Sequence, residues 1–253
     1  MSIIEIQACM RTIRLHAELP LAVGAELALP PQAGEHATRV LRLGKGASLV
    51  LFNGDGSDYQ ARICAIGKRN VTVQVLSREP LHTESPLPLV LAQGIARGDK
   101  MDLIVQKATE LGVAGIVPLL TERSEVKLDP GRAQKRLSHW RAVAASACEQ
   151  CGRARVPEIQ PATALPAWLD MLPDAGALRL ALLPEATLVC RELQFAKAGG
   201  VLVVGPEGGL GERDIAALQA SGFAGLRLGP RVLRTETAGM AALASLQALH
   251  GDV

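Results

Sequence analysis

Two short segments near the C-terminal end carry the residue types best suited to hold and act on a ligand. Gly205-Pro206-Glu207-Gly208-Gly209 follows the apolar run Val201–Val204 and precedes a helical pattern from about Glu212 to Ala220. Glycines at a strand-to-helix turn let a ligand approach the backbone and permit positive φ, a need expected at Gly208. The run is not a P-loop, because no Gly-Lys-Ser/Thr follows, and it is not the dinucleotide GxGxxG. Read alone, it suits a tight turn as well as a ligand site. The second segment, Leu228-Gly229-Pro230-Arg231-Val232-Leu233-Arg234-Thr235-Glu236-Thr237-Ala238, is a long loop leading into a final helix. Thr235 suits the cap of that helix and Glu236 its positive N-terminal end. No such role accounts for Arg231 and Arg234, whose charged, forked donors suit an anion or RNA.

The elements that position these loops follow from periodicity. Leu87–Ala92, Gly115–Leu120, Leu178–Leu183, Val201–Val204 and Leu226–Leu228 read as apolar strands. Between them, Lys100–Leu111 has helical spacing, with Met101, Ile104, Val105, Ala108 and Leu111 on one stripe and Gly112 ending it. Ala133–Cys151 and Thr235–Leu249 read as further helices. Strands alternating with helices predict a parallel sheet covered on both faces, whose ligands bind at the C-terminal ends of the strands. The first eighty residues read differently. Ser48–Phe52, Tyr59–Ile66 and Val71–Val75 are short strands around the turn Asn53-Gly54-Asp55-Gly56, which suggests a small barrel. Glu79 to Pro88, with Pro80, Pro86 and Pro88, reads as a linker.

Composition narrows the classes. The 253 residues are 48 % hydrophobic, enough for a sizeable core, yet no apolar run reaches the roughly 18 residues that span a bilayer. Met1–Met10 carries Glu5 and no long apolar stretch, so it does not read as a signal peptide, and a cytoplasmic location is expected. Five scattered cysteines argue against a disulfide framework. Cys148-Glu-Gln-Cys151 lacks the second ligand pair that zinc wants and the preceding strand of a thioredoxin motif, so it reads as two helix residues and no metal is expected. A net charge of +2 decides little. Local clusters do more: Arg11, Arg14, Arg39, Arg42 and Lys45 early, and Arg132 to Arg155 in the middle, suit phosphates, although each suits a solvated face as well. Aromatics are only 2 %, so RNA binding would be electrostatic rather than built on base stacking.

Taken together, the two C-terminal segments resemble the cofactor-binding motifs of the SPOUT, or α/β-knot, methyltransferases. More narrowly, the chain resembles the bacterial ribosomal RNA small-subunit methyltransferase E family. Met10-Arg11-Thr-Ile-Arg14, His36-Ala-Thr-Arg39-Val-Leu-Arg42, Asn53–Gly56, Lys107-Ala-Thr-Glu110-Leu-Gly-Val113, Thr121-Glu-Arg123-Ser124 and Glu149-Gln-Cys-Gly-Arg153 follow in the family's order. Departures are Leu210-Gly211 where Phe-Ser is usual, Cys151 where a small hydroxyl residue is common, and nine residues before the family-like start at Met10.

The resemblance implies a methyltransferase that uses S-adenosylmethionine on N3 of a uridine in 16S rRNA of the 30S subunit, acting as a homodimer; the alternatives are another SPOUT methyltransferase acting on a tRNA base or a ribose, and a non-catalytic RNA-binding factor. It implies an N-terminal PUA-like β-barrel over residues 1–82, with 1–9 a dispensable extension, and a trefoil-knotted α/β domain over 83–253. Cofactor contacts are expected from Leu182, Leu183, Pro184, Gly205, Pro206, Glu207, Gly208, Gly209, Leu228, Gly229, Val232, Leu233 and Thr235. RNA contacts are expected from Arg11, Arg14, Arg39, Arg42, Arg123 and Arg153. Uracil N3 carries a proton and is a poor nucleophile, so Arg231 and Arg234 are candidates to stabilise charge on the ring. Glu236 joins them as a candidate catalytic carboxylate. Glu207 is equally available as a base, and helix-end electrostatics explains both carboxylates as well.

Overall fold

The computed structural model describes residues 13–68, 70–126, 129–173 and 176–253. Two compact units divide the chain: one takes the described residues up to Thr83 with Cys148–Val156, the other Glu84–Ala147 with Pro157–Val253.

The first unit is a five-stranded sheet of β1 (Arg14–His16), β2 (Glu26–Ala28), β3 (Ser48–Phe52), β4 (Ser57–Ile66) and β5 (Val71–Pro80), in the order β1-β3-β4-β5-β2. Only β1 and β3 pair in parallel. Alternation fills its core: Tyr59, Ala61 and Ile63 of β4 face Val71, Val73 and Val75 of β5. Asn53–Gly56 makes the turn, with Gly54 and Gly56 at φ 93° and 90°. Β5 runs on to Pro80, so Glu79 and Pro80 belong to a strand and not to the expected linker. Its far half is exposed and keeps its shape by backbone pairing with Ser57–Gln60, which side-chain alternation does not report.

A buried ion pair braces this unit. The Arg14 guanidinium bonds both Asp58 oxygens and donates to the carbonyls of Cys148 and Arg153, while lying over the Phe52 ring at 4.8 Å. The two side chains are 9 % and 13 % exposed. Asp58→Ala would strand a buried guanidinium without its counter-charge and should cost about 3–5 kcal/mol. Chemical denaturation checks this, and a loss below about 1 kcal/mol would mean that water replaces the carboxylate.

The second unit is an eight-stranded sheet: β6 (Leu89–Gly94), β7 (Gly115–Leu120), β8 (Glu158–Ile159), β9 (Thr163–Ala164), β10 (Leu178–Leu182), β11 (Leu188–Val189), β12 (Gly200–Val204) and β13 (Ala224–Arg227). The order is β11-β13-β10-β12-β6-β7-β8, with β9 also on β7, and every pairing is parallel. The last long strand ends at Arg227 rather than Leu228, which opens the following loop. After α1 (Pro31–Glu35) of the first unit come α2 (Lys100–Glu110), α3 (Pro130–Cys151), α4 (Leu165–Asp170), α5 (Glu212–Ala220) and α6 (Thr235–His250). Ala92 and Val203 on one face of the sheet join Leu165 and Trp168 of α4 and Leu218 of α5 in one apolar cluster. On the other face α6 packs on α2, β6 and β12, burying Ala242, Leu243 and Leu246. Both faces are therefore covered, as the unbroken apolar strands require. Among the described residues no helix is long and apolar enough to cross a membrane.

Candidate functional site

Neighbouring strands bring the loops together. In the order β13-β10-β12 the C-terminal ends of three parallel strands lie side by side, so the chain beyond Arg227, Leu182 and Val204 converges. A cavity of about 560 Å³ opens there, within the range of small-molecule sites. Leu182, Leu183 and Pro184 line it from β10, Gly205 to Gly209 from β12, and Leu228, Gly229, Val232, Leu233 and Thr235 from the last loop. Arg231, Arg234 and Glu236 share the wall. Leu210, Ile215 and Leu226 add apolar surface.

The glycine turn is held from three sides. Val204 pairs with Gln93 in the β12–β6 ladder, which puts the Gln93 amide beside Gly205. Gln93 Nε2 donates to Thr235 Oγ1 at 2.9 Å and to the Gly94 carbonyl at 2.9 Å. Thr235 Oγ1 donates to the Gly205 carbonyl at 2.6 Å. This corrects the expected helix cap: Thr235 is the first residue of α6, Arg234 occupies the cap position without a side-chain bond, and the hydroxyl ties α6 to the turn instead. Thr235→Val keeps the shape but leaves buried polar partners unmet, and should cost about 1–3 kcal/mol while weakening cofactor binding. Paired denaturation and calorimetry would check it; unchanged values in both would show that water satisfies these groups.

Positive φ falls at Gly209, at 71°, and not at Gly208 as expected. Gly208 is needed for space: a Cβ there would lie 3.1 Å from Arg123 Cβ. Arg123, expected to contact RNA, lines the cavity, and its Nη1 donates to the Gly208 carbonyl at 3.2 Å. Glu207 accepts from the backbone N–H of Arg97 at 3.1 Å and from Lys100 at 3.0 Å. Lys100 also reaches Glu236 Oε2 at 3.6 Å. Sequence reasoning missed Gln93, Gly94 and Lys100 because each is separated from the motifs by a hundred residues or more of chain.

The remaining arginines divide. Arg39 and Arg42 are exposed, Arg39 pairing with Glu35 and Arg42 at φ 55°. Arg14 and Arg153, also expected to contact RNA, point inward: Arg153 is 4 % exposed, and Arg14 donates to Asp58 and to the Cys148 carbonyl. Arg11 lies outside the described residues, as do residues 1–9. Cys148 and Cys151 sit in the last turn of α3 without a preceding strand, Cys148 fully buried. Among the described residues no group of three or more His, Cys, Asp or Glu side chains could hold a metal.

A cavity at the C-terminal edge of a parallel sheet, formed by glycine-rich and arginine-bearing loops, defines a ligand-binding α/β domain. The family described as RNA methyltransferase domain matches residues 83–247, and the RNA methyltransferase PUA domain matches 29–76. The ribosomal RNA small subunit methyltransferase E of Mycobacterium bovis is 34 % identical over 89 % of this chain and 87 % of its own length. Two solved structures are similar along nearly the whole chain. One, from Legionella pneumophila and described as a methyltransferase with the cofactor SAM bound, is 40 % identical with a TM-score of 0.92, covering 96 % of this chain and 100 % of its own. The other, a ribosomal RNA small subunit methyltransferase E of Neisseria gonorrhoeae bound to S-adenosyl methionine, is 36 % identical with a TM-score of 0.90, covering 95 % and 99 %. The chain belongs to the ribosomal RNA small subunit methyltransferase E family.

Proposed function

We propose that this protein transfers a methyl group from S-adenosylmethionine to N3 of a uridine in the 16S rRNA of the 30S subunit. One observation carries the reading: the cavity at the joined ends of β10, β12 and β13, in a chain 40 % and 36 % identical to two proteins solved with that cofactor bound. The residues fit it. Apolar Leu182, Leu210 and Leu226 suit a flat adenine ring, bare backbone at Gly208 and Gly209 allows close approach, and the Glu207 carboxylate suits a cation. The cofactor supplies an electrophilic methyl group.

The chain's own residues must do the rest. The thirteen expected cofactor residues hold the donor, and proximity orients it toward the nitrogen. Arg231 and Arg234 stabilise the negative charge that the uracil ring gains when its N3 proton leaves, with Glu236 beside them. Among the described residues neither arginine side chain bonds another group, so both are free to meet a ligand. Arg39, Arg42 and Arg123 contact RNA phosphates.

Residues 1–82 act as a PUA-like RNA-holding domain and 83–253 as the catalytic domain, which closes a trefoil knot. The enzyme works as a homodimer in the cytoplasm, where its ribosomal substrate resides. Methylation of undermethylated 30S subunits, with the product mapped by mass spectrometry, tests the reading. N3-methyluridine at one 16S position is expected. A methylated ribose, or modification of tRNA alone, would replace it.

A further inference from the structure

Two carboxylates line the cavity in unequal surroundings. Glu207 is occupied, accepting from Arg97 N–H and Lys100 Nζ. Burial works against its charge, but these bonds and its own backbone N–H outweigh that and hold the carboxyl below its ordinary range. A carboxylate stabilised in this way is a weak proton acceptor. Glu236 differs. Its side chain is 14 % exposed, and its Oε2 is buried with no hydrogen-bond partner among the described residues. Lys100 lies 3.6 Å from that oxygen, an ion pair too long for a hydrogen bond. Glu236 lies in the first turn of α6, at its positive end, but makes no cap hydrogen bond there. A buried acceptor left unpaired is costly unless a ligand donor completes it.

From this arrangement we infer that Glu236 takes the uracil N3 proton, and that Lys100 positions it by bridging the two carboxylates. Glu207 then stays ionised and bound, while Glu236 lines the same cavity with no hydrogen-bond donor on its Oε2. The assignment rests on the proposed reaction at uridine N3. In the step, the N3–H bond breaks and an O–H bond forms on Glu236. The electron pair remains on nitrogen, ready for the methyl group. Charged groups sharing the wall with Glu236 are Lys100 of α2, Glu207 of the glycine turn, Arg123 of the loop after β7, Arg227 at the end of β13, and Arg231 and Arg234 of the last loop. From β6, the Gln93 amide approaches the start of α6 without a charge.

Single-turnover methylation of undermethylated 30S subunits across acid and neutral pH tests the assignment. Glu236→Gln preserves shape but accepts no proton, so the rate should fall by about a hundredfold or more with cofactor affinity little changed by calorimetry. Glu236→Asp should recover part of the rate. Lys100→Met removes the ammonium that lies between the two carboxylates, so the single-turnover rate should fall while cofactor affinity stays near wild type, and Lys100→Arg should recover part of the rate. A folded Glu236→Gln protein with wild-type rate and pH profile overturns the assignment alone. Wild-type protein that leaves N3 unmodified overturns the reaction and the assignment together.

Discussion

Arg234→Ala should lower kcat on 30S subunits about a hundredfold, roughly 2.7 kcal/mol of barrier, with little change in cofactor affinity. The backbone of Arg234 is already committed: at φ −65° and ψ 152° it caps α6, and its carbonyl accepts from the Ala238 N–H at 2.8 Å. Alanine keeps both features. The side chain is exposed at the cavity and bonds no other group among the described residues, so its loss should not loosen the loop. What disappears is a positive fork at the cavity that, in the proposed reaction, stabilises the uracil ring as it gains negative charge. Two measurements separate the roles. If Arg234 only grips a phosphate, RNA affinity and its salt dependence fall while saturating turnover survives. If it stabilises the transition state, kcat falls at saturating substrate. Arg234→Lys retains charge without the planar fork and should fall between. Normal turnover and normal RNA affinity in the alanine variant would remove Arg234 from the site.

Gly94→Ala should be as damaging by a different route. Gly94 ends β6, where an added Cβ would sit 2.5 Å from Pro206 Cδ, 2.6 Å from Pro206 N and 3.0 Å from Gly205 C. Those atoms are backbone and a rigid ring, so neither side can yield by turning a side chain. The glycine turn must move away from β6, straining the Gln93–Thr235–Gly205 bonds. An overpacking cost of about 1–3 kcal/mol is expected, and cofactor affinity should fall by about tenfold or more because the displaced turn is the cavity wall. Calorimetry and thermal melting report the two effects separately. A variant that binds cofactor normally would show that the turn shifts without closing the cavity.

Much of the second unit is legible locally. The spacing of Met101, Ile104, Val105 and Ala108 forces one helix face inward, and all four are buried in α2. Apolar runs such as Val201–Val204, short, rich in β-branched valine and bounded by glycines, suit strands covered on both faces. Where local pattern fails, pairing partners decide. Residues 76–80 are exposed yet remain strand because β4 supplies their backbone bonds. Short pieces such as β1, β8, β9 and β11 hold two or three residues, too few for a period to declare itself.

The sequence by itself marked Gly205–Gly209 and Leu228–Ala238 as strand-to-helix loops, since glycines, prolines and paired arginines there need no distant partner to be recognised; the family resemblance, not the local pattern, pointed to a cofactor. All sixteen residues expected to hold the cofactor or act in catalysis line one cavity. Tertiary structure alone decided the rest, because charge and size acquire meaning only from what surrounds them. It set β10 between β13 and β12 and so joined three loops distant in the chain. It turned Arg14 and Arg153 inward, although their sequence neighbourhoods look as basic as those of Arg39 and Arg42. It also brought Lys100 between Glu207 and Glu236, giving two carboxylates of the same chemistry different surroundings: Glu207 held by two donors, Glu236 with a buried oxygen that accepts no hydrogen bond among the described residues.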